Sequence, residues 1–235
     1  YEKYDPHLVI ANGENAAGGS GITRKTADEI FLSGVDILTM GNHVWDQKEV
    51  YDFIDVEDRI VRPANYPPDT PGRGYMITYS RDNKKVGVIN LSGRVYMPAL
   101  DCPFRVLDEI LPIINKQTKV IIVDFHAEAT SEKMALAWYG DGRVSVVIGT
   151  HTHIQTADER ILPGGTGYIT DAGMTGPHNS ILGVKIEPVI EKFLTQRPVR
   201  FEVASGPIQL NAVYLEIDHE KGITTAIERI QVIKK

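Results

Sequence analysis

Four short apolar runs in this 235-residue chain each break off at a polar cluster built from histidine, asparagine or an acid. Leu8-Val9-Ile10-Ala11 leads into Asn12-Gly13-Glu14-Asn15, and the run at 35–40 leads into Gly41-Asn42-His43. The run at 119–125 carries Asp124 near its end and stops at His126, and the run at 144–148 leads into Gly149-Thr150-His151-Thr152-His153. Such runs, bounded by turn signals, suit buried parallel strands and are shorter than ordinary helices. In open α/β sheets ligands bind beyond the carboxyl ends of the strands. Four parallel strands ending this way would bring carboxylate, amide and imidazole groups to one rim.

The segments between these runs fit that layout. A helix is predicted over 23–33, with Ala27, Ile30 and Phe31 on one face and Gly34 as its stop. The proline-rich stretch 62–68 reads as a surface loop. Stretches 75–80 and 86–91 read as paired strands joined by Arg81-Asp82-Asn83. A helix over 104–115 is expected to bend or end near Pro112, and Ser131 is expected to cap a helix running to Gly140. A strand at 168–171, a loop through His178, a helix near 187–195 and antiparallel strands at 208–217 and 223–233 complete the pattern. The whole reads as one α/β domain over 1–235, a sandwich of two mixed sheets flanked by helices.

Composition removes several function classes. The net charge is −6 and the basic runs are as short as Arg24-Lys25 and Lys84-Lys85, which argues against capture of long nucleic acid. A small phosphorylated substrate held by local positive charge remains compatible. The single cysteine, Cys102, rules out an internal disulfide and reads as a small buried apolar residue. No run approaches bilayer length and no signal-like stretch opens the chain, so no membrane partner and a cytoplasmic location are expected.

The clusters mix carboxylate, Asn oxygen and several imidazoles without a thiolate. That donor set suits iron, manganese, zinc or cobalt better than a structural zinc. Six or seven such groups exceed the needs of one ion and suit two, about 3.5–4 Å apart, bridged by a carboxylate and a water-derived hydroxide. The His151-x-His153 pair is the strongest single signal, because alternate residues of an extended segment can address neighbouring ions. Around it, Trp45 and Asp46 are candidates to support His43 or shape a pocket, and Asp124 to orient His126. Arg62 and Arg94 are candidates for phosphate contact, with surface ion pairs as the plainer account. His7, His178 and His219 read as surface residues.

Longer stretches then match a family. Asn12-Gly13-Glu14-Asn15-Ala16-Ala17, Met40-Gly41-Asn42-His43-Val44-Trp45-Asp46, residues 124–133 and residues 149–158 resemble the YmdB-like metallophosphoesterases, a bacterial branch of the calcineurin-type phosphoesterases. The likeness continues through residues 168–177 and essentially to the C-terminus. The resemblance implies a four-layer α/β/β/α sandwich and a dinuclear centre, most often iron or manganese. It implies Glu14 as the bridging carboxylate, Asn15, Asn42, His126, His151 and His153 as the other metal ligands, and His43 as the acid that protonates the leaving oxygen. The implied activity is hydrolysis of phosphodiesters, notably 2′,3′- and 3′,5′-cyclic nucleotides, by a metal-bridging hydroxide, in a homo-oligomer.

The chain departs from the family at its start. Family members open with a short apolar strand ending in Gly-Asp, whose Asp ligates a metal, whereas this sequence begins at Tyr1-Glu2-Lys3-Tyr4. The expectation is a longer native protein that supplies this carboxylate and the first βα element. Two rival readings use the same residues. One is a regulatory protein that binds a nucleotide without hydrolysing it, which leaves the proton donor His43 without a task. The other is a metal-dependent amidase.

Overall fold

The protein is described by a computed structural model covering residues 4–234; the reading placed on Tyr1-Glu2-Lys3 lies outside the described residues. The first sheet is wholly parallel: β1 (Ile10–Asn12), β2 (Ile37–Thr39) and β3 (Ile60–Val61), in that order. Helix α1 (Arg24–Leu32) connects β1 to β2. Its start is a reciprocal cap in which Thr23 and Thr26 side chains each accept the other's backbone N–H, and Gly34 follows at φ 103°.

The second sheet contains β4 (Tyr75–Tyr79), β5 (Lys85–Ser92), β6 (Ile121–His126), β7 (Val146–Thr150), β8 (Arg160–Ile161) and β9 (Gly167–Ile169). Its order is β4-β5-β6-β7-β9-β8, with four parallel central strands and antiparallel β4 and β8 at the edges. Helices α2 (Pro103–Ile114) and α3 (Thr130–Tyr139) make the crossovers from β5 to β6 and from β6 to β7. The third sheet is antiparallel: β10 (Thr175–Pro177), β11 (Ile208–Asp218) and β12 (Ile223–Lys234), with α4 (Ile186–Thr195) between β10 and β11. Among the described residues no helix is long and apolar enough to cross a membrane.

Three apolar clusters place these elements. Leu107, Ile110, Leu111 and Ile114 of α2 and Leu136 and Ala137 of α3 pack on Ile89, Leu91, Ile121, Val123, Phe125 and Val147. Ala27 of α1, with Ile30 and Phe31, packs on Leu38 and Met40. A third cluster joins Ile37 and Val61 of the first sheet to Val86, Val88 and Ile122 of the second and to Val120 beside it. Because side chains alternate along a strand, Ile121, Val123 and Phe125 face the helices. Ile122, Asp124 and His126 therefore face the first sheet. Polar residues at this face bridge the sheets, as where Asn90 Nδ2 donates to the Met40 carbonyl at 2.6 Å.

Helix α2 passes through Pro112 and ends two residues on, at Ile114, in keeping with an end near that proline. Proline in a last turn forfeits only one intrahelical bond, and Leu111 and Ile114 are buried on either side of it. Other expectations are corrected. Ser131 does not cap α3; the helix begins at Thr130 after Ala129, with no side-chain cap. The strand expected over 168–171 ends at Ile169, because Thr170 and Asp171 are drawn into side-chain hydrogen bonds. The two-residue strands β3 and β8 and the short β10 carry too few residues for a periodic signal.

Candidate metal centre

The carboxyl ends of β1, β2, β6 and β7 meet, and what meets there is a set of lone pairs. His126, 1% exposed, points Nε2 at Glu14 Oε2 (2.8 Å), His151 Nδ1 (3.0 Å) and Asn42 Oδ1 (3.1 Å). Ligand atoms of Glu14, His126 and His151 all lie within 4.8 Å of one another. Gly41 makes the approach feasible: a Cβ there would stand 2.3 Å from His126 Nε2 and 2.6 Å from Glu14 Cδ.

The hydrogen-bond network assigns the His126 tautomer. Thr150 donates its one hydroxyl proton to Asp124 Oδ1 at 2.7 Å and lies 3.0 Å from His126 Nδ1. Thr150 can therefore only accept from the ring, so the hydrogen sits on Nδ1 and the Nε2 lone pair faces the cluster. His151 is turned the other way, with Nε2 at 3.1 Å from Glu128 Oε2 and Nδ1 inward. Carboxylate, amide oxygen and two ring lone pairs crowded together repel unless a proton or a cation sits among them. The donor set fits a hard or borderline divalent ion.

The electrostatics describe the state in which a proton on His126 Nε2 takes the place of the cation. Burial works to raise the Glu14 carboxyl, but the hydrogen bond and charge of that protonated ring and the His43 amide outweigh it and hold Glu14 below its ordinary value. Burial, then the same charge, lowers His151 and favours its neutral ring. Asp124 is raised by burial, against the opposing effects of His126, Thr39, Thr150 and Asn12.

Asn15 and His153 form an adjoining pair, with Asn15 Nδ2 at 3.2 Å from His153 Nε2. His153 Nδ1 is buried without a hydrogen-bond partner. Both histidines of the His-x-His segment have left-handed backbones, φ 98° for His151 and 64° for His153. Such conformations cost about 1–3 kcal/mol each and persist where surrounding contacts impose them. Here those contacts converge on Thr152, whose N–H and hydroxyl both donate to Asp171 Oδ2. Lys133 Nζ pairs with the same oxygen at 2.9 Å.

His43 is joined to the cluster through its backbone, whose N–H donates to Glu14 Oε1 at 2.8 Å. Its Nδ1 lies 2.7 Å from Asp46 Oδ2, and the ring is 42% exposed, leaving Nε2 open to a substrate. Asp46 is held below its ordinary value, first by a hydrogen bond from Ser20 and, against desolvation, by His43. Trp45 stacks on Tyr51 at 5.2 Å and meets Tyr66 edge-on at 5.8 Å, so it builds a wall beside His43.

The structure thus gathers Glu14, Asn42, His126 and His151, pairs Asn15 with His153, and sets His43 beside them. It removes Arg62 from the candidates for phosphate contact or a surface ion pair. Its buried guanidinium donates to the carbonyls of Pro63, Thr70 and Pro71 and organises the loop. Arg94 is exposed in the loop after β5, and its backbone N–H is held by Glu132. His7 is exposed, and exposed His178 lies 2.8 Å from Gln209 in the third sheet. Thr150, Glu128, Lys133 and Asp171 escape a sequence reading. Only Lys133 leaves a signal there, since it shares a helical face with Leu136 and Ala137.

An α/β scaffold with a carboxylate–imidazole cluster at its strand ends defines the class to which this chain belongs. Residues 1–230 match the family model described as YmdB-like protein, and the chain is a member of that family. It is 55% identical over 231 residues to a 2′,3′-cyclic-nucleotide 2′-phosphodiesterase of Bacillus subtilis (strain 168), covering 98% of this chain and 87% of that one. Among crystal structures, a hypothetical protein from Thermus thermophilus matches with TM-score 0.91 and 45% identity over 97% of this chain and 88% of its own. A phosphatase of Mycoplasma pneumoniae matches with TM-score 0.89 and 36% identity over 97% and 82%.

Proposed function

We propose that this chain is a metal-dependent phosphodiesterase acting on cyclic nucleotides, with 2′,3′-cyclic nucleotides as the first substrates to test and 3′,5′-cyclic nucleotides as the second. The observation that carries this reading is the convergence of Glu14, Asn42 and His151 on the His126 Nε2 lone pair. The Bacillus relative supplies the substrate class.

Glu14, Asn42, His126 and His151 would hold one ion, and Asn15 and His153 a second, with Glu14 shared because it adjoins Asn15. Iron or manganese is the proposed metal, and the same donors accept zinc or cobalt. When bound, the ions supply water activation and neutralisation of phosphoryl oxygens. The chain's own groups do the rest. Asp46 beside Nδ1 orients the His43 ring, whose open Nε2 can give a proton to the departing ribose oxygen. Thr150 and Asp124 keep the His126 lone pair aimed inward.

The three apolar clusters support a four-layer α/β/β/α arrangement in one domain. A cytoplasmic homo-oligomer completes the reading, with no long nucleic acid or membrane as partner. Metal analysis of the purified protein, followed by turnover of 2′,3′- and 3′,5′-cyclic nucleotides, tests it. Bound metal with no turnover of either would refute the enzymatic reading and favour nucleotide binding without hydrolysis.

A further inference from the structure

His151 and His153 hold backbone conformations that a free chain would leave, and the residue between them is clamped. Thr152 donates its N–H at 3.0 Å and its hydroxyl at 2.6 Å to a single oxygen, Asp171 Oδ2. Lys133 Nζ reaches that oxygen at 2.9 Å and Thr152 Oγ1 at 3.1 Å. The other Asp171 oxygen accepts the Gly173 N–H at 2.8 Å. The Lys133 and Asp171 side chains are 0% and 1% exposed. Lys133 arrives from α3 across Gly149, where a Cβ would stand 3.0 Å from its Cδ and 1.7 Å from the Thr170 carbonyl oxygen.

A buried ion pair is weak evidence for stability, because apolar residues of the same volume often do as well. What this pair supplies is direction, since three of its hydrogen bonds end on the residue between the two imidazoles. We propose that Lys133 and Asp171 are positioning residues of the cation site. By fixing Thr152 they hold His151 and His153 in their left-handed conformations, and so set the affinity for metal. This inference rests on the reading of the cluster as a metal centre.

The test compares wild-type protein with Lys133→Met and Thr152→Val. Mn2+ affinity is measured by chelator competition, the Co2+-loaded protein is examined by visible absorption, and the melting temperature is taken without metal. Lys133→Met keeps the stem and removes the charge. It is expected to weaken Mn2+ binding about 10–100-fold, the usual effect of losing a group that orients ligands, and to alter the Co2+ spectrum. Thr152→Val keeps the ion pair and one of the three hydrogen bonds at Thr152, from its N–H to Asp171. It should show a smaller loss of the same sign, and it preserves the test if Lys133→Met does not fold. Variants that melt earlier yet match wild type in Mn2+ affinity and Co2+ spectrum would overturn the proposal. Wild-type protein that takes up neither ion would overturn the metal-centre reading as well.

Discussion

At the scale of single residues, the site sets the His43 ring apart from the groups that converge on His126. His43 touches the cluster only through its backbone N–H, while its ring faces outward beside Asp46. Replacing it with alanine should lower turnover of an activated aryl phosphodiester by about two to four orders of magnitude and leave metal content unchanged. Steady-state kinetics with elemental analysis checks both halves, and unchanged turnover would remove His43 from its role. His153→Ala should do the reverse and reduce bound metal, read by the same elemental analysis. Acid should also release metal, because protons compete for ligand lone pairs. The lowered His151 favours the neutral ring, so its competence should persist below about pH 6.5, the ordinary imidazole value. Metal content across a pH series measures where release begins.

Between residue and fold stand the strands and helices that aim these groups. Strand β6 shows how one element serves two ends: Val123 and Phe125 pack under α2 and α3, while Asp124 and His126 face the first sheet. Leu107 of α2 is fully buried in the same cluster. Leu107→Ala should cost about 2–5 kcal/mol of unfolding free energy, measurable by denaturant titration, with metal stoichiometry retained in the folded protein. Of the elements, those with a strong period were legible beforehand: α1, the pair β4 and β5, β6, β7 and the long β11–β12 hairpin. Helix α2 continues two residues past its proline because burial of Leu111 and Ile114 outweighs the single bond that Pro112 forfeits. The start of α3 escaped because no side chain caps it.

For the whole molecule, the cluster ties the two parallel strand sets together, since Glu14 follows β1 of the first sheet, while His126 ends β6 and His151 follows β7 of the second. A cation held among them would bind the folded state and not the unfolded one. Chelation should therefore lower the melting temperature and added Mn2+ should raise it, by about 2.7 kcal/mol of stabilisation at a hundredfold excess over the dissociation constant. Calorimetry with and without chelator measures it. An unchanged melting temperature would mean that no ion spans the sheets. The sequence by itself determined the alternating βα plan and the candidate donor residues, because strand length, period and residue chemistry are local properties. Only the tertiary structure decided which lone pair each imidazole offers, that Arg62 is a loop organiser, and that Lys133 and Asp171 clamp Thr152. The imidazole and clamp outcomes depend on which groups meet across 19 to 138 residues of chain, and no local pattern encodes such meetings; Arg62 bonds within nine residues, but only the folded loop turns those carbonyls toward it.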